Sequence, residues 1–101
     1  MVRPMTIDGW IAEYAATPGG ILVDVRLPEE YADGRIPGSI NIPMQELDRI
    51  FEAVPDFDTP VFVYCTGGVQ AAYAAAWFEQ EGYTRVEAIG AILDYSGVLE
   101  R

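Results

Sequence analysis

The chain has 101 residues and a formal net charge of −10, with 50% hydrophobic residues, one cysteine and no histidine. This length fits one compact domain over residues 1–101, and the hydrophobic content suffices for a core without disulfides or a structural metal. The composition excludes an internal disulfide, a Cys-His zinc site and a Cys-His or Ser-His catalytic pair, and the acidic charge argues against nucleic acid or anionic membrane partners.

The first part of the chain predicts two helices on either side of a buried strand. Thr6 or Asp8 can cap a helix whose apolar residues recur at helical spacing. Residues 21–25 form an almost wholly apolar run, which is typical of a strand buried on both faces of a parallel sheet. Pro28 and the two glutamates after it predict a short helix. Residues 39–42 then predict a short strand.

The remainder of the chain continues the alternation of helices and strands. Further helices are predicted over 43–54 and 69–81, and a terminal helix over 91–99, broken near Gly97. Further strands are predicted over 61–64 and 83–89. This order indicates an α/β domain with a mainly parallel sheet, in which ligands bind beyond the carboxyl ends of the strands.

Cys65 follows the predicted strand 61–64 directly and precedes Gly67, Gly68 and the helix predicted over 69–81. A thiol becomes nucleophilic as its thiolate, which a helix N-terminus stabilises. Two glycines allow successive N–H groups to curl into a nest for an anion. The junction can therefore supply a nucleophile, its activation and an anion site. A lone cysteine that ends a buried strand is, however, more often an inert core residue, so the loop alone leaves both interpretations open.

Four motifs in order resemble the rhodanese family, and especially its short members of the phage-shock-protein-E kind. Residues 22–31 (LVDVRLPEEY) are similar to the family's DVR-x-PEE-[YF] stretch, and residues 34–43 (GRIPGSINIP) to its GHIPGAINIP stretch. Val63-Tyr64-Cys65-x-x-Gly68 resembles the VYCxxG approach to the active site. Residues 82–92 resemble the family's last motif, in which a Gly-Tyr pair precedes a Gly-rich turn.

The resemblance implies a rhodanese-like fold, with a mainly parallel central sheet of about five strands flanked by helices on both faces. It also implies a sulfurtransferase in which the Cys65 thiolate takes a sulfane sulfur from thiosulfate or a persulfide. Cyanide, a thiol or a protein would then accept that sulfur, and neither a metal nor a cofactor is needed.

The resemblance implies the roles of further residues around Cys65. Asp24 and Arg26 would brace the site through hydrogen bonds or a salt bridge. Arg35 stands where the family often has histidine, so it either adds positive charge at the rim or is a plain surface residue. The substrate-binding residues would be those of the loop, namely Thr66, Gly67, Gly68, Val69 and Gln70.

The loop departs from the Cys-Arg-Ser-Gly-x-Arg pattern of many family members, because residues 65–70 carry no cation. We therefore expect dianionic thiosulfate to be a mediocre donor and a persulfide to be preferred. A related cysteine-loop phosphatase or arsenate reductase is disfavoured, because position 71 is alanine where those loops need arginine.

Two classes of non-catalytic function remain open. The domain could be a sulfur carrier or binding module whose acidic surface meets a basic protein partner, or it could be purely structural. Residues 1–8 include one arginine and no apolar stretch like that of a signal peptide, so a cytoplasmic location is expected. The sulfur donor, the acceptor and the oligomeric state do not follow from the sequence.

Overall fold

The structure, a computed structural model, describes residues 3–101, so the first two residues of the predicted domain lie outside it. The strands are β1 (Ile21–Asp24), β2 (Ile40–Asn41), β3 (Val61–Cys65) and β4 (Val86–Ala91). They form one parallel sheet in the order β2-β1-β3-β4. The helices are α1 (Ile7–Ala15), α2 (Pro28–Asp33), α3 (Ile50–Ala53) and α4 (Val69–Gln80), with 3₁₀ segments at Met44–Arg49 and Ile92–Asp94.

The predicted parallel α/β sheet is confirmed, but the expectation of about five strands is wrong, since residues 3–101 contain four. A further pairing in this region is a single antiparallel bridge between Arg35 and Glu100. Their backbones exchange two hydrogen bonds of 2.9 and 2.8 Å. The next pair of such a ladder would need an N–H from Pro37, which proline lacks. The bridge therefore cannot grow into a strand.

Alternate residues of β3 pack against helices on opposite faces of the sheet. Val61, Val63 and Cys65 lie in a cluster with the inner side of α4. Phe62 and Tyr64 lie in a second cluster with residues of α1. All five side chains are buried, so β3 runs through the centre of the molecule, as its apolar sequence predicts. Cys65 thus ends the central strand on the face that α4 covers.

The amino end of α4 lies close to β3 because small side chains separate the two elements. Ala71, Ala74 and Ala75 are buried against the sheet, and Phe78 fills the space further along the helix. Alanine combines high helix propensity with little side-chain volume, so the helix axis can approach the strand. This packing sets the position of the first turn of α4 relative to Cys65.

The predicted helix over 43–54 is a 3₁₀ segment followed by the short helix α3. Glu46 interrupts it with φ −134° and ψ 35°. Leu47 and Ile50 are both buried, and a spacing of three residues places side chains on one side of a 3₁₀ helix as well as of an α-helix. The apolar pattern therefore identified the buried residues but not the helix type.

The last part of the chain differs from prediction at two places. The strand predicted over 83–89 starts three residues later, because Tyr83 turns into the core and donates its hydroxyl to the Val54 carbonyl at 2.6 Å. The helix predicted over 91–99 is reduced to one 3₁₀ turn. The backbone N–H of Ser96, which a helix over 91–99 would use within itself, instead donates to Asp8 at 3.0 Å. Within residues 3–101, no helix is long and apolar enough to cross a membrane.

Candidate active site

The Cys65 sulfur lies at the junction where β3 passes into α4. The residue is 1% exposed. Its Sγ accepts hydrogen bonds from the N–H groups of Gly68, at 3.0 Å, and Ala71, at 3.3 Å. The loop therefore curls around the sulfur atom, and two backbone dipoles direct their positive ends at it. This arrangement favours a negative charge on sulfur without any cationic side chain.

Gly68 has φ +99°, a conformation that residues with a side chain rarely adopt. A Cβ atom placed there would meet its nearest neighbour at 3.7 Å, so the position needs glycine for its backbone and not for lack of space. The turn at Gly68 brings its N–H to the sulfur and starts α4 at the next residue. The preceding Gly67 lacks a positive φ and has open space around it.

The other N–H groups of the loop, those of Thr66, Gly67, Val69 and Gln70, have no acceptor within residues 3–101. Val69 and Gln70 form the first turn of α4, whose N–H groups have no partner inside the helix. An anion bound to or held by the sulfur can accept these free donors.

We expect Gly68→Ala to destabilise the fold by about 1–3 kcal/mol, because alanine is strained at φ +99°. Displacement of the Gly68 N–H should also slow alkylation of Cys65 by iodoacetamide, since the thiolate would lose a hydrogen bond. Gly67→Ala is the matched control, since it adds the same methyl group one residue earlier without this strain. Urea unfolding and alkylation rates measure the two effects. Equal free energies of unfolding and equal alkylation rates in the two variants would contradict the role assigned to Gly68.

A cavity of about 350 Å³ opens beside the loop. It lies where the carboxyl ends of β1, β2 and β3 meet, as expected for ligand sites in parallel sheets. Of the residues predicted to bind substrate, Thr66 and Gln70 line this cavity. The remaining lining residues were not predicted. Each of them lies after the end of β1 or β2, so the rule that ligands bind beyond the carboxyl ends of parallel strands could have identified them. They are Val25, Leu27, Glu30, Met44 and Gln45.

Arg35 is not among the residues that line this cavity. Its Nε is 3.2 Å from Oε1 of Glu100, and its guanidinium lies over the Tyr31 ring at 4.9 Å. The suggestion that Arg35 adds positive charge at the rim of the site stays a prediction. Among the residues that line the cavity, Glu30 is the one ionisable side chain.

The ion pair expected between Asp24 and Arg26 forms beneath the site. The Asp24 carboxylate is fully buried and accepts from the Arg26 Nε at 3.0 Å and Nη2 at 2.8 Å. A second Nη2 bond reaches the Gly34 carbonyl at 2.6 Å. Asn41 donates to the backbone carbonyls of both Asp24 and Arg26 at 3.0 Å. These contacts hold the segment that carries Val25 into the cavity wall.

The opposite face of β3 has its own buried polar group. The Tyr64 hydroxyl accepts from the Ile36 N–H at 3.1 Å and lies 3.1 Å from the Ser39 Oγ. Burial raises the pKa of Tyr64, so its phenol stays neutral at physiological pH. Tyr64 therefore ties residues 36–39 to the strand that carries Cys65.

The chain is similar in sequence and fold to known proteins. A family model described as a rhodanese-like domain matches residues 8–90. The thiosulfate sulfurtransferase PspE of Escherichia coli is 44% identical over 73 residues, which cover 71% of this chain and 70% of that protein. A sulfurtransferase of Allochromatium vinosum is 34% identical over 86 residues, which cover 85% of this chain and 79% of that protein.

The same fold occurs among solved structures. A rhodanese with anions from E. coli has a TM-score of 0.76 at 38% identity, covering 81% of this chain and 98% of that one. More distant relatives include a tRNA uridine(34) hydroxylase of Erwinia tasmaniensis, of which the match covers 24%. The family model spans most of the chain, and Cys65 with its loop lies inside the matched residues. The chain therefore belongs to the rhodanese-like domain family.

Proposed function

We propose that the chain is a sulfurtransferase that carries a sulfane sulfur as a persulfide on Cys65. The observation that carries this proposal is the position of the Cys65 Sγ, which accepts hydrogen bonds from two backbone N–H groups at the carboxyl end of the parallel sheet. Relatives named as sulfurtransferases support the same reaction class. The free N–H groups of the loop suit a sulfur-bound negative charge.

The reaction proceeds in two displacements on sulfur. The Cys65 thiolate attacks the sulfane sulfur of thiosulfate, the sulfur–sulfur bond of the donor breaks, and sulfite leaves with the electron pair. A persulfide donor would instead release its thiolate. Cyanide, or the thiolate of a small thiol or protein, then attacks the outer sulfur of the Cys65 persulfide. Thiocyanate or a new persulfide leaves, and the Cys65 thiolate is restored.

The proposal is tested with purified protein, thiosulfate and cyanide. Intact mass after exposure to the donor alone should increase by one sulfur atom, and peptide mapping should place that atom on Cys65. Subsequent addition of cyanide should remove the atom and release one equivalent of thiocyanate. If neither thiosulfate nor cysteamine persulfide adds sulfur to the protein, the proposed function is wrong.

A persulfide should be a better donor than thiosulfate for this chain. Thiosulfate carries two negative charges, whereas the loop from Cys65 to Gln70 supplies only neutral donors. The net charge of −10 also opposes the approach of a dianion. We expect a higher kcat/KM with cysteamine persulfide, which carries an ammonium group, than with thiosulfate. The opposite order would contradict this expectation.

Gln70→Arg should raise kcat/KM for thiosulfate about five- to tenfold, because it places a cation at the cavity wall. The effect on cysteamine persulfide should be smaller, since that donor carries no net charge. Gln80→Arg makes the same chemical change at the far end of α4, where the side chain does not line this cavity. Steady-state kinetics with both donors compares the variants. An equal gain in kcat/KM for thiosulfate in both variants would show that the net charge of the protein, and not the position of the new arginine, is responsible for the gain.

A sulfur-relay module is the second candidate function. The loop without a cation favours it, because neutral donors stabilise a bound small anion less than a cationic side chain would. Such a carrier would form the Cys65 persulfide but turn over slowly with cyanide. Its partner would present a basic surface to this acidic chain. Persulfide formation with negligible thiocyanate turnover would favour the relay over the enzyme.

A cytoplasmic location remains a prediction.

A further inference from the structure

One carboxyl side chain, that of Glu30, lines the cavity beside the Cys65 loop. Glu30 lines the cavity together with Thr66 and Gln70 of the loop. Its Oε1 accepts the Leu27 N–H at 3.2 Å, a bond that closes the first turn of α2. The backbone therefore holds this carboxylate at the wall of the cavity.

The residues that line the cavity include no arginine that could balance the negative charge of a Glu30 carboxylate. The nearest arginine in sequence, Arg26, is engaged with Asp24 and the Gly34 carbonyl. Arg35 is engaged with Glu100 and the Tyr31 ring. Arg26 lies within electrostatic reach of Glu30, but its charge is paired with the buried Asp24 carboxylate. A dianionic donor that enters the cavity therefore approaches a carboxylate on a lining that carries no cationic side chain.

We propose that Glu30 is a specificity-determining residue, which selects sulfur donors of low negative charge by repelling dianions from the cavity. This inference rests on the proposed sulfurtransferase function and adds the substrate class. The repulsion grows with the charge of the donor, because each added negative charge interacts with the same carboxylate. It should also weaken in salt, since the cavity is open to solvent.

Two donors of similar size and different charge isolate this effect. Thiosulfate is a dianion, and methanethiosulfonate is a monoanion in which a methyl group replaces one oxygen. The Cys65 thiolate would take the same sulfane sulfur from either, with sulfite or methanesulfinate as the leaving group. A steric or general structural effect of Glu30 would change the rates of both donors alike, whereas a charge effect would change them unequally.

The test compares Glu30→Gln with Glu29→Gln. The glutamine amide oxygen at position 30 can still accept the Leu27 N–H, so the helix start is preserved. The control removes one charge from the neighbouring residue of α2, which does not line the cavity. Melting temperatures verify that both variants fold. The readouts are kcat/KM for each donor and the rate at which Cys65 gains sulfur, in low salt and in about 0.5 M sodium chloride.

Glu30→Gln should raise kcat/KM for thiosulfate about fivefold and that for methanethiosulfonate about twofold. The gain for thiosulfate should shrink in high salt, and Glu29→Gln should change either donor less than twofold. Sulfur transfer to Cys65 with no difference between the two variants, or with equal gains for both donors, would overturn this inference and leave the proposed function standing. Absence of sulfur on Cys65 in every protein would overturn the proposed function and this inference with it.

Discussion

Cys65→Ser should reduce thiocyanate formation by about a thousandfold or more, to the level of the reaction without protein. A serine hydroxyl is scarcely ionised at neutral pH and attacks sulfane sulfur poorly, so the first displacement fails. The residue contributes the only thiol in the chain. The mass of the variant should therefore stay unchanged after exposure to thiosulfate or to cysteamine persulfide.

The fold should survive this substitution. The serine oxygen can accept the N–H groups of Gly68 and Ala71 that Cys65 Sγ accepts in the structure. We expect a melting temperature within a few degrees of the unsubstituted protein, which separates loss of the nucleophile from loss of the fold. Thiocyanate formation that persists in a folded Cys65→Ser protein would exclude the persulfide mechanism.

Asp24→Ala should lower the free energy of unfolding by about 3–5 kcal/mol, the largest effect that we expect on stability. The substitution leaves the Arg26 guanidinium, which is 8% exposed, without its counter-charge. The Gly34 carbonyl would still accept one bond from it, but this bond does not neutralise the charge. Urea unfolding at neutral pH, followed by circular dichroism, measures the loss.

Two further variants determine whether the unpaired charge is the cause. Asp24→Ala combined with Arg26→Met removes both charges and should be less destabilised than Asp24→Ala alone. Glu100→Ala removes the carboxylate of the more exposed pair with Arg35 and should cost about 0–1 kcal/mol. If the double variant is as unstable as the single one, lost packing rather than the buried charge explains the result.

The central strands could be predicted from the sequence because their signals are local. Apolar runs predicted strands over 21–25 and 61–64, and the structure places β1 at Ile21–Asp24 and β3 at Val61–Cys65. The strand predicted over 83–89 was displaced because the Tyr83 hydroxyl bonds to the Val54 carbonyl. A pattern of neighbouring residues contains no information about that carbonyl.

The partner of Arg35 shows the same limit. Arg35 pairs with Glu100, which is 65 residues further along the chain, and no sequence pattern indicated that pair. The buried pair of Asp24 and Arg26, which the family resemblance implied, joins two residues that are separated by one position. Short-range contacts follow from sequence order, whereas long-range ones depend on how elements pack.

The sequence by itself determined the parallel α/β class, the Cys65 loop and the absence of a cation from that loop. These features depend on residue type, spacing and the backbone freedom of glycine, all of which act locally. Only the tertiary structure decided that Glu30 lines the same cavity as Gln70. The physical reason is that β1 and β3 are adjacent parallel strands, so their carboxyl ends meet at one edge of the sheet and bring distant segments together.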